Sequence, residues 1–312
     1  MRRHAASTMA VVLASTLALA GAQDPDKHVY VTAMDKDGTP IIGLTAEHFG
    51  IKESGRDRKV LTVEPLRIPM HVAVLVDTSV ANGSPDESFR TAVLGFVERL
   101  AASNHVAVYS FGDRAAQVAA FTQDAAELRS ATNAMFGWSH DRSLLIDAID
   151  LALRDFEKIE SPRPVMIAIT SESPEASGQT AGAVLKRLIK QSVAFHSISL
   201  ASATGTGGQG SGVNATIPQK SQQLGAMIAA GEGDRERTQL LRQGTAATGG
   251  GLQRVTSTLA VRAALARTAN ELANSYKVTF ARPGTARMED LQVGVMLEGV
   301  TLRATAAPFG TR

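Results

Sequence analysis

Three short segments of the chain carry oxygen-bearing side chains that could bind a ligand or take part in catalysis. Asp77 and Ser79 end a run of apolar residues, Ser143 precedes an amphipathic stretch, and Ser171 follows a second apolar run. In open α/β sheets, ligands bind beyond the carboxyl ends of the strands. Because the strand pattern places each segment at such a position, we expect the four side chains to gather at one edge of a sheet.

Nucleophilic catalysis is one chemistry that these residue types could support. Ser79, His140 and Asp141 would supply a hydroxyl, an imidazole and a carboxylate, the three groups of a serine hydrolase. However, the chain contains no Gly-x-Ser-x-Gly motif, which exposes the nucleophile on a tight turn in one large class of such enzymes. We therefore predict no catalytic residues and no enzyme activity, and a serine-type hydrolase is kept as the minor alternative.

The pattern of apolar side chains predicts the elements that position this edge. Continuous apolar runs, which are typical of strands buried on both faces, cover residues 72–76, 106–109 and 165–169, and residues 193–200 are predicted to be a further buried strand. Apolar residues at helical spacing predict helices within residues 89–100, 145–159, 234–247 and 257–274. Strands that alternate with helices indicate an α/β fold with a doubly wound, mainly parallel sheet.

The two flanks of this region have a different pattern. Residues 23–68 and 275–312 contain short stretches in which apolar and polar residues alternate, as in half-buried strands. Neither flank has enough strands for a core of its own, so we expect them to pair in a small β unit, with the α/β domain of residues 69–274 inserted between them. Within that domain, the Gly/Ser-rich residues 203–233 predict a flexible loop.

The first residues have the features of an export signal. Arg2 and Arg3 precede the uncharged apolar stretch 5–20, and Ala20-Gly21-Ala22 offers small residues for cleavage before Gln23. The apolar stretch is short for a bilayer span. We predict a signal peptide over residues 1–22 and a protein that is exported, periplasmic or extracellular, without a stable membrane span after cleavage. An uncleaved anchor helix is the alternative.

Charge and composition exclude several classes of partner and site. The chain has 32 Lys and Arg against 30 Asp and Glu, and loss of the leader with its two arginines would balance the charges. With no basic stripe in addition, we predict no nucleic-acid partner. The chain has no cysteine, which excludes thiolate metal sites. A Gly-x-Gly-x-x-Gly match at residues 205–210 opens no predicted helix, so we expect no dinucleotide cofactor.

Several segments resemble the von Willebrand factor type A (VWA) family. Val72–Ser79 is similar to the family's first strand and opening ligand motif, Asp141–Ile149 to the loop and helix that carry its middle ligand, and Val165–Thr170 to the strand before its last aspartate. Gly43–Gly55 and the closing strands are similar to those of an exported VWA-related group that is abundant in Acidobacteria. The resemblance implies a VWA-like, Rossmann-like sheet.

The resemblance also implies a position for a metal-ion-dependent adhesion site, but one with missing ligands. The family holds Mg²⁺ with an Asp-x-Ser-x-Ser motif, a distant Thr and a distant Asp. Asp77 and Ser79 match the motif and Ser143 keeps a hydroxyl in the Thr position, whereas Ala81 and Ser171 replace a hydroxyl and a carboxylate. Because hard divalent cations depend on carboxylate ligands, we expect a weak, degenerate site and no cofactor beyond weakly held Mg²⁺.

These expectations combine into one functional hypothesis and one main alternative. The hypothesis is a protein-interaction or adhesion module that contacts an unknown protein partner through Asp77, Ser79, Ser143, Ser171 and the nearby Trp138. The alternative is a Mg²⁺-dependent adhesion module in which Glu172 or Asp141 supplies the missing carboxylate.

Overall fold

The computed structural model of the chain describes residues 27–79, 87–136, 142–171, 173–201, 217–281 and 291–306, with the backbone alone for 217–230. The strands are β1 (Lys27–Met34), β2 (Phe49–Glu53), β3 (Arg56–Arg58), β4 (Val60–Pro65), β5 (His71–Asp77), β6 (His105–Phe111), β7 (Ala115–Thr122), β8 (Pro164–Thr170), β9 (Ala194–Leu200), β10 (Leu252–Val255), β11 (Tyr276–Phe280), β12 (Leu291–Val295) and β13 (Thr301–Ala306). The helices are α1 (Glu87–Ala101), α2 (Ala125–Met135), α3 (Leu145–Ile159), α4 (Ala181–Lys190), α5 (Ile217–Ala247) and α6 (Thr258–Ala273). Among these helices, none has the length and apolarity that crossing a membrane requires.

The main sheet has six strands in the order β10-β9-β8-β5-β6-β7. All neighbours are parallel except β6 and β7, which a short turn joins as an antiparallel pair. The central strand β5 buries every side chain after His71, as its unbroken apolar run predicts. The doubly wound, mainly parallel sheet is therefore confirmed.

Helices cover both faces of the main sheet. Val72, Val74 and Val76 of β5 pack into a core with α1, α2 and α6. Ala73 and Leu75 point to the opposite face and pack with α3, α4 and the second half of α5. Helices therefore cover both faces, and the carboxyl ends of the strands are where ligands bind in sheets of this kind.

The small β unit combines strands from both flanks of the chain, as predicted. A four-stranded antiparallel sheet has the order β13-β1-β11-β4, and a three-stranded one has the order β12-β2-β3. Their shared core includes Val31, Phe49, Ile51, Val278 and Phe280. Each sheet thus contains strands from both ends of the chain, which neither flank could complete alone. The exact domain limits remain a prediction.

Helix α5 begins earlier than the sequence pattern indicates. The predicted helix starts at Asp234, whereas the structure has a helix from Ile217, so residues 217–233 of the predicted loop are helical. Pro218 lies in the first turn, where a missing N–H costs no hydrogen bond. Good helix formers, including glutamine, leucine, methionine and alanine, follow it, and they outweigh the glycines. The earlier part of the predicted loop, residues 202–216, lies outside the described residues.

The β unit packs at the end of the sheet where β8 and β9 begin. Arg163, which precedes β8, donates to the carbonyl of Leu272 at 2.8 Å and to the hydroxyl of Ser275 at 3.0 Å. Thr305 of β13 donates to the carbonyl of Thr248 at 2.8 Å. We call this region the amino-terminal interface. The opposite end, where the strands finish, is the carboxyl-terminal edge.

Candidate functional site

Asp77, the last residue of β5, lies at the centre of the carboxyl-terminal edge. Its Oδ1 accepts hydrogen bonds from the backbone N–H of Ser79 at 2.9 Å and from the Ser79 hydroxyl at 2.5 Å. Its Oδ2 accepts from the N–H of Ser171 at 2.9 Å and from the Ser171 hydroxyl at 2.7 Å. The side chain is 5% exposed. Backbone and hydroxyl donors therefore satisfy both oxygens of this buried carboxylate.

A third serine completes the hydroxyl cluster. The Ser173 hydroxyl hydrogen-bonds to that of Ser79 and lies 3.0 Å from that of Ser171, while the Ser79 and Ser171 hydroxyls are 3.1 Å apart. Sequence reasoning missed Ser173, although its position two residues after Ser171 was a usable signal. We call Asp77, Ser79, Ser171 and Ser173 the Asp77 cluster.

Ser143 joins the same edge without hydrogen bonding to Asp77. Its N–H donates to the carbonyl of Pro174 at 2.8 Å, and its carbonyl accepts from the N–H of Ala176 at 2.9 Å. The residue is fully buried, and its hydroxyl has no hydrogen-bond partner among the described residues. Ser143 therefore anchors the loop after β8 through its backbone and keeps an uncommitted oxygen.

Glu175 is a second buried carboxylate at this edge, and no local sequence pattern selects it. It is 3% exposed, and its Oε1 accepts from the N–H of Ser177 at 3.2 Å and from the hydroxyl at 2.5 Å. Burial raises the pKa of this carboxyl group, while hydrogen bonds from Ser177 and the backbone of Leu145 and the charge of Arg237 oppose the shift. The Ser177 hydroxyl, which donates to Glu175, also accepts from the N–H of Asp147 in the first turn of α3 at 3.0 Å.

Helix α5 braces the loop after β8 from the outside. Arg237, which is 8% exposed, donates to the carbonyl of Ser173 and forms an ion pair with Asp234 at 3.3 Å. Gly233 approaches so closely that a Cβ atom there would lie 2.2 Å from the carbonyl oxygen of Glu175. The contacts of Arg237 come from long-range packing, so no local pattern could have marked the residue.

The described oxygen ligands do not fit a tightly held divalent cation. The Asp77 cluster offers one carboxylate, both of whose oxygens accept hydrogen bonds, together with neutral hydroxyls, whereas Mg²⁺ sites draw their attraction from carboxylates. Within the described part of the chain, no group of three or more histidine, aspartate or glutamate side chains is arranged for a metal. Ala81, Asp141 and Glu172 lie outside the described residues, as does Trp138.

The described residues also bring no histidine to Ser79. Its hydroxyl partners are Asp77, Ser171 and Ser173. The imidazole of His71 lies at the other end of β5, where it hydrogen-bonds to Ser161 at 3.0 Å. His140, the base that the hydrolase alternative requires, lies outside the described residues.

Five exposed residues lie on the segments next to the Asp77 cluster. Arg142, Pro174 and Ala176 are exposed on the two loops that Ser143 joins, and Gly178 and Gln179 extend this surface toward α4. We call these five residues the rim. The backbone bonds between Ser143 and the loop after β8 hold the rim on rigid elements, which is how loops that bind ligands are commonly supported.

The doubly wound, mainly parallel sheet and the position of Asp77 at the end of its central strand agree with the VWA-like sheet that the resemblance implies. The α/β domain has a VWA-like fold. Solved structures with a similar fold include an aerotolerance-related membrane protein from Bacteroides fragilis, with 16% identity and a TM-score of 0.41 over 64% of this chain and 98% of that one.

Two further similar structures come from other settings. The VWA domain of SpRpn10 has 11% identity and a TM-score of 0.39, over 64% of this chain and 94% of that one. Proximal thread matrix protein 1 from the mussel byssus, in a form with a zinc-occupied metal-ion-dependent adhesion motif, has 12% identity and a TM-score of 0.46, over 67% of this chain and 47% of that one. No protein-family model and no curated protein matches the chain.

Proposed function

We propose that this chain is an exported, non-enzymatic protein-binding module that contacts its partner through the rim at the carboxyl-terminal edge. The observation that carries the proposal is the hydrogen bonding of Asp77, whose two oxygens accept from Ser79 and Ser171. A carboxylate held in this way supports the loops above it. Recognition then depends on the shape of the rim and on its hydrogen bonds, without a bridging metal.

The position of the rim supports a protein contact. Its exposed residues lie on loops anchored to β8 and α3, so they form a surface with little freedom to lose on binding. The rim combines the cation of Arg142 with the small or apolar side chains of Pro174 and Ala176. We include Trp138, five residues before Ser143 in the sequence, in the proposed contact because tryptophan is among the residues that dominate protein interfaces. The leader at residues 1–22 supports export to the periplasm or beyond.

Thermal unfolding tests whether a metal takes part. The purified mature chain is melted with Mg²⁺, with Mn²⁺ and with EDTA, and we expect the same melting temperature in all three. A cation present at a hundred times its Kd would stabilise the fold by about 2.7 kcal/mol, which is readily measured. A melting temperature that rises with Mg²⁺ and falls with EDTA would contradict metal-free recognition.

Capture of partners tests whether the rim makes the contact. Immobilised mature chain is exposed to proteins exported by the same cells, and bound proteins are compared between wild type and the Arg142→Glu variant. The matched control is Arg67→Glu, because Arg67 is exposed before β5, at the opposite end of the sheet. We expect specific partners to be retained by the control, to be lost by Arg142→Glu, and to bind equally in EDTA.

A Mg²⁺-dependent adhesion module is the second candidate function, and two uncommitted oxygens favour it. The Ser143 hydroxyl and Oε2 of Glu175 are buried without hydrogen-bond partners among the described residues, and these two residues form a β-bridge. With Glu172 or Asp141 they could supply further ligands. The melting experiment separates the two candidates, since only this one predicts stabilisation by Mg²⁺.

A further inference from the structure

A cavity of about 560 Å³ lies between α2 and the β6–β7 edge of the main sheet. Thr78, next to the Asp77 cluster, lines it, but the residues of that cluster do not. Pockets that hold small molecules usually measure roughly 300–1,000 Å³. The cavity therefore has room for a compact ligand.

Small side chains on both walls create the cavity. Ser110 and Ala116 line it from the sheet, and Ala131 and Ala134 line it from α2. Closer to the start of α2, the fully buried side chain of Leu128 fills the same layer. The space is thus confined to the end of the layer nearest the carboxyl-terminal edge, where no large side chain of the described residues occupies it.

The lining is mainly apolar, with one cation and three neutral polar residues, Thr78, Ser110 and Gln117. The amide of Gln117 donates to Tyr109 and Asp155, so its N–H groups are already used. Val118 and Met135 add to the apolar wall, and Arg114 lines the cavity from the turn between β6 and β7. Arg114 is exposed and forms no ion pair with any described residue. The hydroxyl of Thr78 donates to the carbonyl of Phe111 at 3.3 Å, so that group is already used. A ligand that fits would combine an apolar body with an anionic group.

We propose that this cavity is a binding site for a small amphipathic carboxylate, with its ring or branched chain between α2 and the sheet and its carboxylate paired with Arg114. Burial of the apolar part supplies the main attraction, and the ion pair fixes the orientation. This site is separate from the rim and does not depend on the protein-binding function.

Binding is tested by nuclear magnetic resonance of the methionine methyl groups of the full mature chain. The probe is 4-phenylbutyrate, and the neutral 4-phenylbutan-1-ol has nearly the same shape. We expect the Met135 methyl signal, assigned with a Met135→Ile variant, to shift saturably with 4-phenylbutyrate at millimolar concentrations, as a ligand of this size should. The alcohol should bind more weakly, by about two- to five-fold, the range of an exposed ion pair.

Two pairs of variants locate the site. Ala131→Leu fills the cavity and should abolish the shift, whereas the matched Ala126→Leu changes an exposed position of the same helix and should leave binding unchanged. Arg114→Gln should reduce the affinity for 4-phenylbutyrate to that for the alcohol, whereas the distant Arg67→Gln should leave the affinity for 4-phenylbutyrate unchanged. The melting temperature of each variant verifies that it is folded.

Three results would overturn the proposal. The first is a Met135 methyl signal that does not shift when 4-phenylbutyrate is raised to about 20 mM, a concentration well above the Kd expected for a ligand of its size. The second is unchanged binding to a folded Ala131→Leu variant. The third is equal affinity for the acid and the alcohol, which would remove the assigned ligand class. Loss of partner capture by rim variants bears on none of these outcomes, so the two proposals fail independently.

Discussion

The two ends of the main sheet bury carboxylates in opposite ways. At the carboxyl-terminal edge, Asp77 is 5% exposed and accepts hydrogen bonds from the neutral donors of Ser79 and Ser171. At the amino-terminal interface, Glu271 is 4% exposed and forms an ion pair with Arg303 of β13. Asp77 is therefore stabilised by donors from the same edge of the sheet, whereas Glu271 links the α/β domain to the β unit through Arg303.

The difference distinguishes the carboxyl-terminal edge, whose rim is free for a partner, from the amino-terminal interface, which joins the β unit to the α/β domain. An ion pair needs a partner from another element, and here Glu271 and Arg303 join α6 to β13. Arg163 adds a further cation there, which unlike Arg303 is buried, and burial lowers its pKa to about 10. The hydroxyls that donate to Asp77 come from loops at the same edge, so this carboxylate needs no cation from another part of the molecule. The hydrogen bonds of Asp77 are thus satisfied within its own edge of the sheet, while the rim stays exposed.

The largest expected effect comes from adding one methyl group at the amino-terminal interface. Gly249 has a φ of +72°, and a Cβ there would lie 2.0 Å from the carbonyl oxygen of Ala304. Because this contact is with backbone, Gly249→Ala must move β13 or the turn, and we expect a loss of more than about 4 kcal/mol in the free energy of unfolding. Urea unfolding followed by circular dichroism measures it.

A glycine in open space is the matched control. Gly182 lies in α4, and a Cβ atom there would have nothing within 4 Å, so Gly182→Ala should be neutral or stabilise by up to about 1 kcal/mol. If Gly249→Ala were as mild as Gly182→Ala, close packing of the β unit against the turn would be wrong.

The second effect comes from removing the charge of Glu271. Glu271→Gln leaves Arg303 without its partner, and we expect a loss of about 2–3 kcal/mol, below the value for a fully buried pair because Arg303 is 24% exposed. The control is Glu98→Gln, which breaks the more exposed pair with Arg129 and should cost less than about 1 kcal/mol. Equal losses in the two variants would contradict the special role of the interface pair.

The sequence predicted the residues of the carboxyl-terminal edge better than those of the amino-terminal interface. Asp77 and Ser171 were predictable because each follows an apolar strand, and strand ends share an edge in a parallel sheet. Glu175 and Arg237 were not, since their roles come from a helix that packs from some sixty residues away. The pairing of the two flanks was predictable because neither has enough strands for a core of its own. The ion pair of Glu271 with Arg303 was not, because no pattern in the sequence of α6 indicates a partner in β13.

The third effect tests whether neutral donors hold Asp77. In Asp77→Asn, one oxygen becomes an NH₂ group that cannot accept, so the donors of either Ser79 or Ser171 lose their acceptor, and we expect a loss of about 1–3 kcal/mol. The loss should be the same in Mg²⁺ and in EDTA. If the wild type were stabilised by Mg²⁺ and the variant were not, Asp77 would be a metal ligand.

Asp124 provides the matched control for this substitution. It caps α2 by accepting from the N–H groups of Ala126 and Glu127, both through Oδ1. An asparagine can accept both bonds with its one oxygen and is an equally good cap, so Asp124→Asn should change stability by less than about 0.5 kcal/mol. A larger loss of stability in Asp77→Asn than in Asp124→Asn would show that both oxygens of Asp77 must accept hydrogen bonds.

The smallest effect is a pH dependence that originates at the amino-terminal interface. Burial lowers the pKa of His196 below 6.5, opposed by the charge of Glu271, and its Nδ1 accepts from the N–H of Gly251 at 3.2 Å. The unfolded chain therefore binds a proton more readily than the folded one. The stability that this gives is fully present above pH 6.5 and is lost as the pH falls through the folded pKa.

The His196→Asn variant assigns that pH dependence to one residue. The pKa values of His28 and His71 are also lowered by burial, so the wild type should lose stability between pH 7 and 5. The buried His196 contributes at most about 1.4 kcal/mol per pH unit, and solvent screening makes the contributions of the partly exposed His28 and His71 smaller. An asparagine can keep the bond from Gly251 but cannot titrate. Urea unfolding at several pH values should therefore give a shallower slope for the variant. An unchanged slope would mean that protonation of the interface does not limit stability in acid.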